Sequence, residues 1–169
     1  MSDTVRILGI DPGSRITGYG LVDLERSSAA PVEWGSIHTT GDHSTRLKSI
    51  FNALDGIVRK FAPDEVAIER VFMHRNADSA IKLGQARAAA LCGTFAADIP
   101  IYEYSARHIK KAVVGSGSAE KAQVQHMVRM ILGVRTDIEP DAADALAAAL
   151  CHAHERETRS VLSRLAEMS

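Results

Sequence analysis

The stretch Val5-Arg6-Ile7-Leu8-Gly9-Ile10-Asp11 decides the fold, because a short run of branched apolar residues is typical of a buried strand. A turn, Pro12-Gly13-Ser14, follows it directly. Residues 17–24 alternate in polarity and predict a hairpin partner strand, and residues 32–39 predict a third strand. The acidic side chain of Asp11 is therefore expected at the end of a central strand.

Helices and strands alternate along the rest of the chain. An amphipathic helix is predicted over residues 44–61, and a strand over residues 65–69 ends in Glu69. The further predicted elements are a helix over 78–97, a strand over 99–104, a helix over 106–113, a helix capped by Ser118 and a helix from Pro140 to about Glu157. This order predicts an α/β fold with a mixed five-stranded sheet and helices on both faces.

Length and composition indicate one domain. The chain has 169 residues, 46% of them hydrophobic, and no repeat or linker divides it. We expect the domain to span residues 1–157 and residues 158–169 to form a polar tail. Cys92 and Cys151 lack metal-ligand spacing, which favours two buried thiols in a reducing compartment. Without a membrane-length apolar run or a signal-peptide pattern, the sequence predicts a cytoplasmic location.

The distribution of charge is more informative than the net charge of −1. Residues 70–135 contain ten Lys or Arg and four Asp or Glu, whereas the remainder contains ten and seventeen. A basic middle segment within an acidic frame is typical of an enzyme that binds phosphate on one face. The same pattern is also compatible with ordinary solvated helix surfaces.

Four acidic residues lie where such a fold could bring them together. Asp11 and Glu69 each end an apolar strand, while Asp141 and Asp144 are three residues apart and share one face of a helix. Mg²⁺ prefers oxygen ligands, and paired ions of this kind catalyse in-line attack on phosphodiesters. Taken singly, Asp11 could cap its turn and Asp141 could interact with the helix dipole. Together the four favour the metal site of a nuclease.

Two further segments suit a nucleic-acid partner. The loop that follows Glu69 contains residues that could insert between stacked bases, although its apolar pair could equally pin the loop to the core. These residues are Phe72, Met73, Arg75 and Asn76. Basic residues surround the Gly115-Ser116-Gly117 loop, and glycines of this kind permit close approach of phosphate. They are Arg107, Lys110, Lys111 and Lys121.

Several sequence blocks resemble the RuvC Holliday-junction resolvases, and they occur in the family's order over nearly the whole chain. They are Gly9-Ile10-Asp11-Pro12-Gly13-Ser14-Arg15-Ile16-Thr17-Gly18-Tyr19-Gly20, Ala67-Ile68-Glu69-Arg70-Val71-Phe72-Met73, residues 76–87, residues 113–121, residues 123–128 and Asp141-Ala142-Ala143-Asp144-Ala145-Leu146. Arg70 stands where a neutral residue such as Gln would also fit. The combination is specific, whereas Gly-Ile-Asp-Pro-Gly alone is not.

The resemblance implies a ribonuclease-H-like fold and a homodimer that nicks two opposed strands of four-way junction DNA. It implies that Asp11, Glu69, Asp141 and Asp144 are catalytic metal ligands. Phe72 matches an aromatic residue that contacts bases near the junction centre. Lys110 and Lys121 match basic residues close to the scissile phosphate. Junction-binding and branch-migration motor proteins are the partners it implies.

For the chemistry, our hypothesis is hydrolysis with two Mg²⁺ ions per active site, for which Mn²⁺ can substitute, leaving a 5′ phosphate and a 3′ hydroxyl. Lys121 is expected to assist electrostatically, since an ammonium group repels metal ions. One alternative is an ATPase of the actin-like or sugar-kinase type, whose first phosphate loop is similar, but such enzymes need a longer chain. The other is a non-catalytic junction-binding module, which the four carboxylates disfavour because they repel phosphate.

Overall fold

The computed structural model describes residues 4–71 and 76–167, and this part of the chain contains five strands and five helices. In chain order the elements are β1 Val5–Asp11, β2 Ile16–Glu25, β3 Ser28–His38, α1 His43–Phe61, β4 Glu65–Glu69, α2 Ala77–Cys92, β5 Ile101–Tyr104, α3 Ala106–Val114, α4 Lys121–Leu132 and α5 Pro140–Glu167. None of the helices within these ranges has the length and apolarity needed to cross a membrane.

The strands form one mixed sheet in the order β3-β2-β1-β4-β5. β1 pairs antiparallel with β2 and parallel with β4, and β4 pairs parallel with β5. The predicted five-stranded mixed sheet is therefore confirmed, with β1 at its centre. Because β1 and β4 are parallel neighbours, their carboxyl ends lie at the same edge of the sheet.

The alternation of side chains along β1 separates two cores. Ile7 packs with residues of α3, α4 and α5 on one face of the sheet, which we call the α5 face. Leu8 and Ile10 pack with α1 and α2 on the opposite face. The predicted helices on both faces are confirmed, and a strand covered on both sides explains why the sequence of β1 is almost wholly apolar.

Glycines allow α5 to lie directly on the sheet. A Cβ atom at Gly9 would be 2.0 Å from the carbonyl oxygen of Ala145, and one at Gly18 would be 1.9 Å from the carbonyl oxygen of Asp141. Both distances are far below van der Waals contact, so no larger residue fits without moving the helix. The alanine-rich first turns of α5 supply the other half of this close contact.

Several predicted boundaries were wrong. α2 ends at Cys92 rather than at residue 97, and Cys92 is exposed instead of buried, whereas Cys151 is buried as predicted. Ser118 does not cap α4: Glu120 does, through a capping box with Gln123. α5 does not end near residue 157 but continues to Glu167 as a helix whose outer turns are exposed, so residues 158–167 are helical.

A buried polar chain connects α5 to β4 and β5. The ring of His152 is fully buried, with Nε2 2.6 Å from a carboxylate oxygen of Glu65 and Nδ1 2.6 Å from the hydroxyl of Tyr104. Arg156 donates to the other oxygen of Glu65. A carboxylate only accepts, so Nε2–H donates to Glu65 and the Tyr104 hydroxyl donates to Nδ1, which describes a neutral imidazole.

This chain predicts that stability declines in acid. Burial lowers the pKa of His152, an effect that the Glu65 carboxylate only partly opposes. The unfolded chain therefore binds more protons than the folded one below about pH 6.5, so stability is complete above that pH and falls as pH decreases. We expect His152→Gln to lower stability at pH 7.5 by about 2 kcal/mol, because Glu65 loses a buried partner, and to flatten the decline between pH 7 and 5. Urea unfolding of the wild type and the variant at pH 7.5, pH 7 and pH 5 measures these effects. A variant whose stability declines with pH as steeply as that of the wild type would contradict the prediction.

Candidate active site

The four predicted acids come together at the carboxyl edge of the sheet, on its α5 face. Ile10 is in register with Ile68, so Asp11 and Glu69 follow side by side in the parallel pair. Gly18 is in register with Asp11 on the other side, next to the carbonyl group of Asp141 at the start of α5. The sheet thus supplies two carboxylates, and the first turns of α5 supply Asp141 and Asp144.

The four carboxylates interact electrostatically. Burial and then repulsion from Glu69, Asp144 and Asp141, in that order, raise the pKa of Asp11 to about 8. Burial first, and repulsion from Asp144 second, also raise the pKa of Glu69. The structure thus gathers carboxylates that repel one another, and a cation or a proton is needed to relieve that repulsion.

Lys121 makes a direct contact with this cluster. Its ammonium group is 2.6 Å from a carboxylate oxygen of Asp144. That hydrogen bond is the chief reason why the pKa of Lys121 is raised, while burial still raises the pKa of Asp144. The pair lies in a cavity of about 240 Å³ whose polar lining is Glu69, Lys110, Lys121 and Asp144, over an apolar floor from α3, α4 and α5.

The chemistry of the donors fits a hard divalent cation, although the side chains are not set in coordination geometry. All four are carboxylates at intermediate burial, the ligand type that Mg²⁺ and Mn²⁺ accept. Among residues 4–71 and 76–167, no three His, Cys, Asp or Glu side chains already converge as the ligands of one ion. Lys121 already pairs with Asp144, so a bound ion would compete with Lys121 for this carboxylate.

The turn after Asp11 is fixed by Thr17, a residue that the sequence analysis did not select. Thr17 is fully buried, its hydroxyl donates to the carbonyl oxygen of Gly13 at 2.9 Å, and the amide of Gly13 approaches the same hydroxyl at 3.3 Å. These contacts join the turn to the beginning of β2. A threonine at an otherwise apolar strand position, four residues from a turn glycine, is the signal that could have revealed it.

Arg70 does not face the acid cluster. Side chains alternate along β4, so Arg70 lies on the opposite face from Glu69 and is 3.6 Å from the carboxylate of Glu103. Arg87 of α2 is 2.7 Å from the other oxygen of Glu103. One carboxylate therefore balances two guanidinium groups, and the charge of Arg70 is directed away from Glu69.

Some of the predicted DNA-binding residues have structural roles or lie outside the described part of the chain. Phe72, Met73 and Arg75 lie outside the described residues. Asn76 caps α2, since its side chain accepts from the amide of Ser79 at 3.2 Å. Gly115 ends α3 with a φ of +86°, a conformation that favours glycine. The hydroxyl of Ser116 is 3.0 Å from that of Ser118 in the following loop.

The other predicted basic residues lie on two different sides of α3. Lys110 lines the acidic cavity described above. Arg107 and Lys111 line a separate cavity, which also contains His108 and His154. Their closeness in sequence predicts a single group, but the helix divides them between two sites.

Comparisons with known proteins identify the family of the chain. The sequence model described as "Crossover junction endodeoxyribonuclease RuvC" matches residues 7–152. Proteins of that name are 53% identical over 161 residues in Methylococcus capsulatus (95% of this chain, 97% of the relative) and 52% identical over 157 residues in Shewanella piezotolerans (92% and 91%).

Solved structures show the same fold. The structure titled "T. thermophilus RuvC in complex with Holliday junction substrate" matches with a TM-score of 0.85 and 34% identity, covering 91% of this chain and 96% of that one. The yeast mitochondrial Holliday junction resolvase Ydc2 matches with a TM-score of 0.71 at 13% identity, covering 98% and 86%, which shows the fold alone. This is the ribonuclease-H-like fold of the resolvases. The chain therefore belongs to the RuvC family of crossover junction endodeoxyribonucleases.

Proposed function

We propose that this protein resolves four-way DNA junctions by paired, symmetric nicks, hydrolysing phosphodiester bonds to leave a 5′ phosphate and a 3′ hydroxyl. The observation that carries the proposal is the cluster of four carboxylates at the carboxyl edge of the sheet, with Asp11 repelled by each of the other three. Family membership supports the junction as substrate, and the acid cluster supports metal-dependent hydrolysis.

The proposed catalytic residues have two different chemical roles. Asp11, Glu69, Asp141 and Asp144 would hold two Mg²⁺ ions, or Mn²⁺ in their place, and these ions would supply activation of water and stabilisation of the leaving oxygen. Lys121 and Lys110, at the mouth of the same cavity, would attract the scissile phosphate and balance the charge that develops on it.

A strand-resolved cleavage assay tests this function. Three substrates are compared, a mobile four-way junction, a linear duplex and a three-way fork, each with Mg²⁺, Mn²⁺ or EDTA. We expect paired nicks at symmetric positions on the junction only, and only with a divalent ion. Equal cutting of the linear duplex would reject junction selectivity, and cleavage in EDTA would reject the metal site.

The assay also separates the two alternatives. Junction binding without cleavage under either ion would favour a non-catalytic binding module. Turnover of ATP in the absence of DNA would favour an ATPase. The four half-buried carboxylates argue against a pure binding module, since each of them repels the phosphates of a bound strand.

We further propose that the protein acts as a homodimer through the exposed side of α2. Ile81, Gly84, Ala88 and Cys92 are all exposed, and their spacing of three or four residues places them along one stripe of the helix. Ile81 is 61% exposed, and a Cβ atom at Gly84 would meet no atom within 4 Å. A junction with approximate two-fold symmetry suits an isologous pair with two active sites.

Ile81→Glu is expected to weaken this dimer by more than about tenfold, because the interface would have to bury an unpaired carboxylate. Sedimentation equilibrium at micromolar concentration measures the effect. Val161→Glu is the matched control, since Val161 is 49% exposed on the outer part of α5. A wild-type protein that remains monomeric with and without junction DNA would contradict the proposal.

We propose that the protein acts in the cytoplasm, because its relatives are bacterial proteins and bacterial DNA lies in the cytoplasm. The partners suggested by family resemblance are junction-binding and branch-migration motor proteins, which would present the crossover to this enzyme. Co-sedimentation of the protein with such a motor on a four-way junction tests the partnership, and independent binding of the two would contradict it.

A further inference from the structure

A second basic cavity lies on the side of α3 that faces away from the acid cluster. Its volume is about 510 Å³, and its lining includes Arg107, His108, Lys111, Ala112, His154 and Glu155. Neither Asp11 nor any of the other three carboxylates of the active site lines it. It is therefore distinct from the cavity that contains Lys110 and Lys121.

Positively charged side chains outnumber negatively charged ones in the lining of this second cavity. Its lining contains one acid, Glu155, and the carboxylate of Glu155 is already 2.8 Å from Nε2 of His108. Arg107 and Lys111 are exposed, and neither forms a salt bridge with any residue of 4–71 or 76–167. His154 is also exposed, because it is two residues beyond the buried His152 on α5 and so points to another side of the helix.

The side chain of Arg107 lies against the loop that follows α3. A Cβ atom at Gly117 would be 2.6 Å from Cγ of Arg107 and 3.2 Å from its Nε, so only glycine lets the side chain lie across this loop. A cation placed by close packing loses less freedom on binding than a free surface arginine does. This gives the Gly115-Ser116-Gly117 loop a role in positioning Arg107.

We propose that this cavity is a second phosphate site, which holds the backbone of one DNA arm beside the active site. This second site rests on the proposed function, and it adds the path that one arm of the junction takes beside the active site. α3 forms a wall of both cavities, with Lys110 on one side and Arg107 and Lys111 on the other. A helix is about 10 Å across, so the two sites lie within a few phosphates of each other along one strand.

The test compares two charge-removing variants in junction binding with EDTA present, where no cleavage interferes. Arg107→Gln/Lys111→Gln removes two cations from the cavity and keeps most of each side-chain stem. Lys48→Gln/Lys60→Gln removes two cations from α1 on the opposite face of the sheet. We expect the first variant to lose about tenfold in affinity and to reduce the slope of log K against log salt by about two, and the control to change neither appreciably.

A modified substrate locates the contact. Uncharged methylphosphonate linkages are placed at successive positions up to about five nucleotides on either side of the scissile phosphate. The wild type should lose affinity at one or two of these positions, on one side only, and Arg107→Gln/Lys111→Gln should be insensitive to the same change. His154→Lys adds a fixed cation to the cavity and should tighten binding severalfold.

Each result has a definite meaning. If the wild type neither binds nor cleaves a four-way junction, the proposed function fails. If it binds and cleaves, but the α3 variant behaves as the α1 control does, or the methylphosphonate effect persists in the variant, the second phosphate site is wrong. Equal melting temperatures of the variants and the wild type exclude loss of the fold as the cause.

Discussion

Asp11→Asn is expected to bind four-way junctions as the wild type does and to cleave them at least about 10³-fold more slowly. This loss of rate is at least as large as the loss caused by removing a single electrostatic contact to the transition state. Asp11 ends the central strand β1, and the other three acids all repel it, so it lies at the centre of the cluster. An amide of the same shape keeps the packing but removes the charge that would hold an ion. Single-turnover cleavage with Mg²⁺, measured beside binding in EDTA, separates the two effects.

The same variant should be more stable than the wild type when metal is absent. Burial and repulsion raise the pKa of Asp11 from 3.8 to about 8, so the folded protein holds a proton that the unfolded chain has lost. Between about pH 4 and pH 8 the stability of the metal-free wild type therefore falls as pH rises. At pH 8 we expect Asp11→Asn to be more stable by at least about 2 kcal/mol, since one pKa unit corresponds to about 1.4 kcal/mol.

Urea unfolding in EDTA at pH 5 and pH 8 measures this difference. Saturating Mg²⁺ should stabilise the wild type at pH 8 by about 3 kcal/mol at a hundredfold excess over its Kd, and should have little effect on Asp11→Asn. A variant that cuts junctions normally would refute the role of Asp11. A variant that gains no stability at pH 8 would refute the electrostatic account.

Gly18→Ala should separate α5 from the sheet and disable the site without changing any acid. The added methyl group would be 1.9 Å from the carbonyl oxygen of Asp141 and 2.3 Å from its carbonyl carbon, both backbone atoms that cannot rotate away. Overpacking of this kind costs about 1–3 kcal/mol. Because Gly18 is in register with Asp11, the shift of α5 would also move Asp141 and Asp144 from Asp11, and cleavage should fall by at least about 10²-fold.

Gly56→Ala is the matched control, because a Cβ atom at Gly56 would meet no atom within 4 Å and the residue lies within α1. This substitution should stabilise the protein by about 1 kcal/mol through helix propensity and leave cleavage unchanged. Thermal unfolding and single-turnover cleavage of both variants give the comparison. Equal stability and activity of Gly18→Ala and the wild type would contradict the close approach of α5.

Local sequence patterns were sufficient to predict the bounds of an element where those bounds depend on the residues of that element alone. The strand Glu65–Glu69 was predicted with its observed bounds, and Pro140 was predicted as the first residue of its helix. The sequence pattern was less useful for predicting where a helix ends when packing or solvent exposure decides that end. Residues 158–169 were predicted as a polar tail, but those of them that the structure describes, 158–167, continue α5 as helix.

The sequence by itself determined the sheet, its central strand and the identity of the four acids, since each follows from a strand end or from helical spacing. Only the tertiary structure decided which side chains share a face. The parallel pairing of β1 and β4 puts Asp11 and Glu69 together on the α5 face, and the alternation of β4 sends Arg70 to Glu103 on the other. Lys110 and Lys111 are neighbours in sequence, yet they line separate cavities, because successive residues of a helix are about 100° apart around its axis. Such partnerships join residues far apart in the chain, and no local preference encodes them.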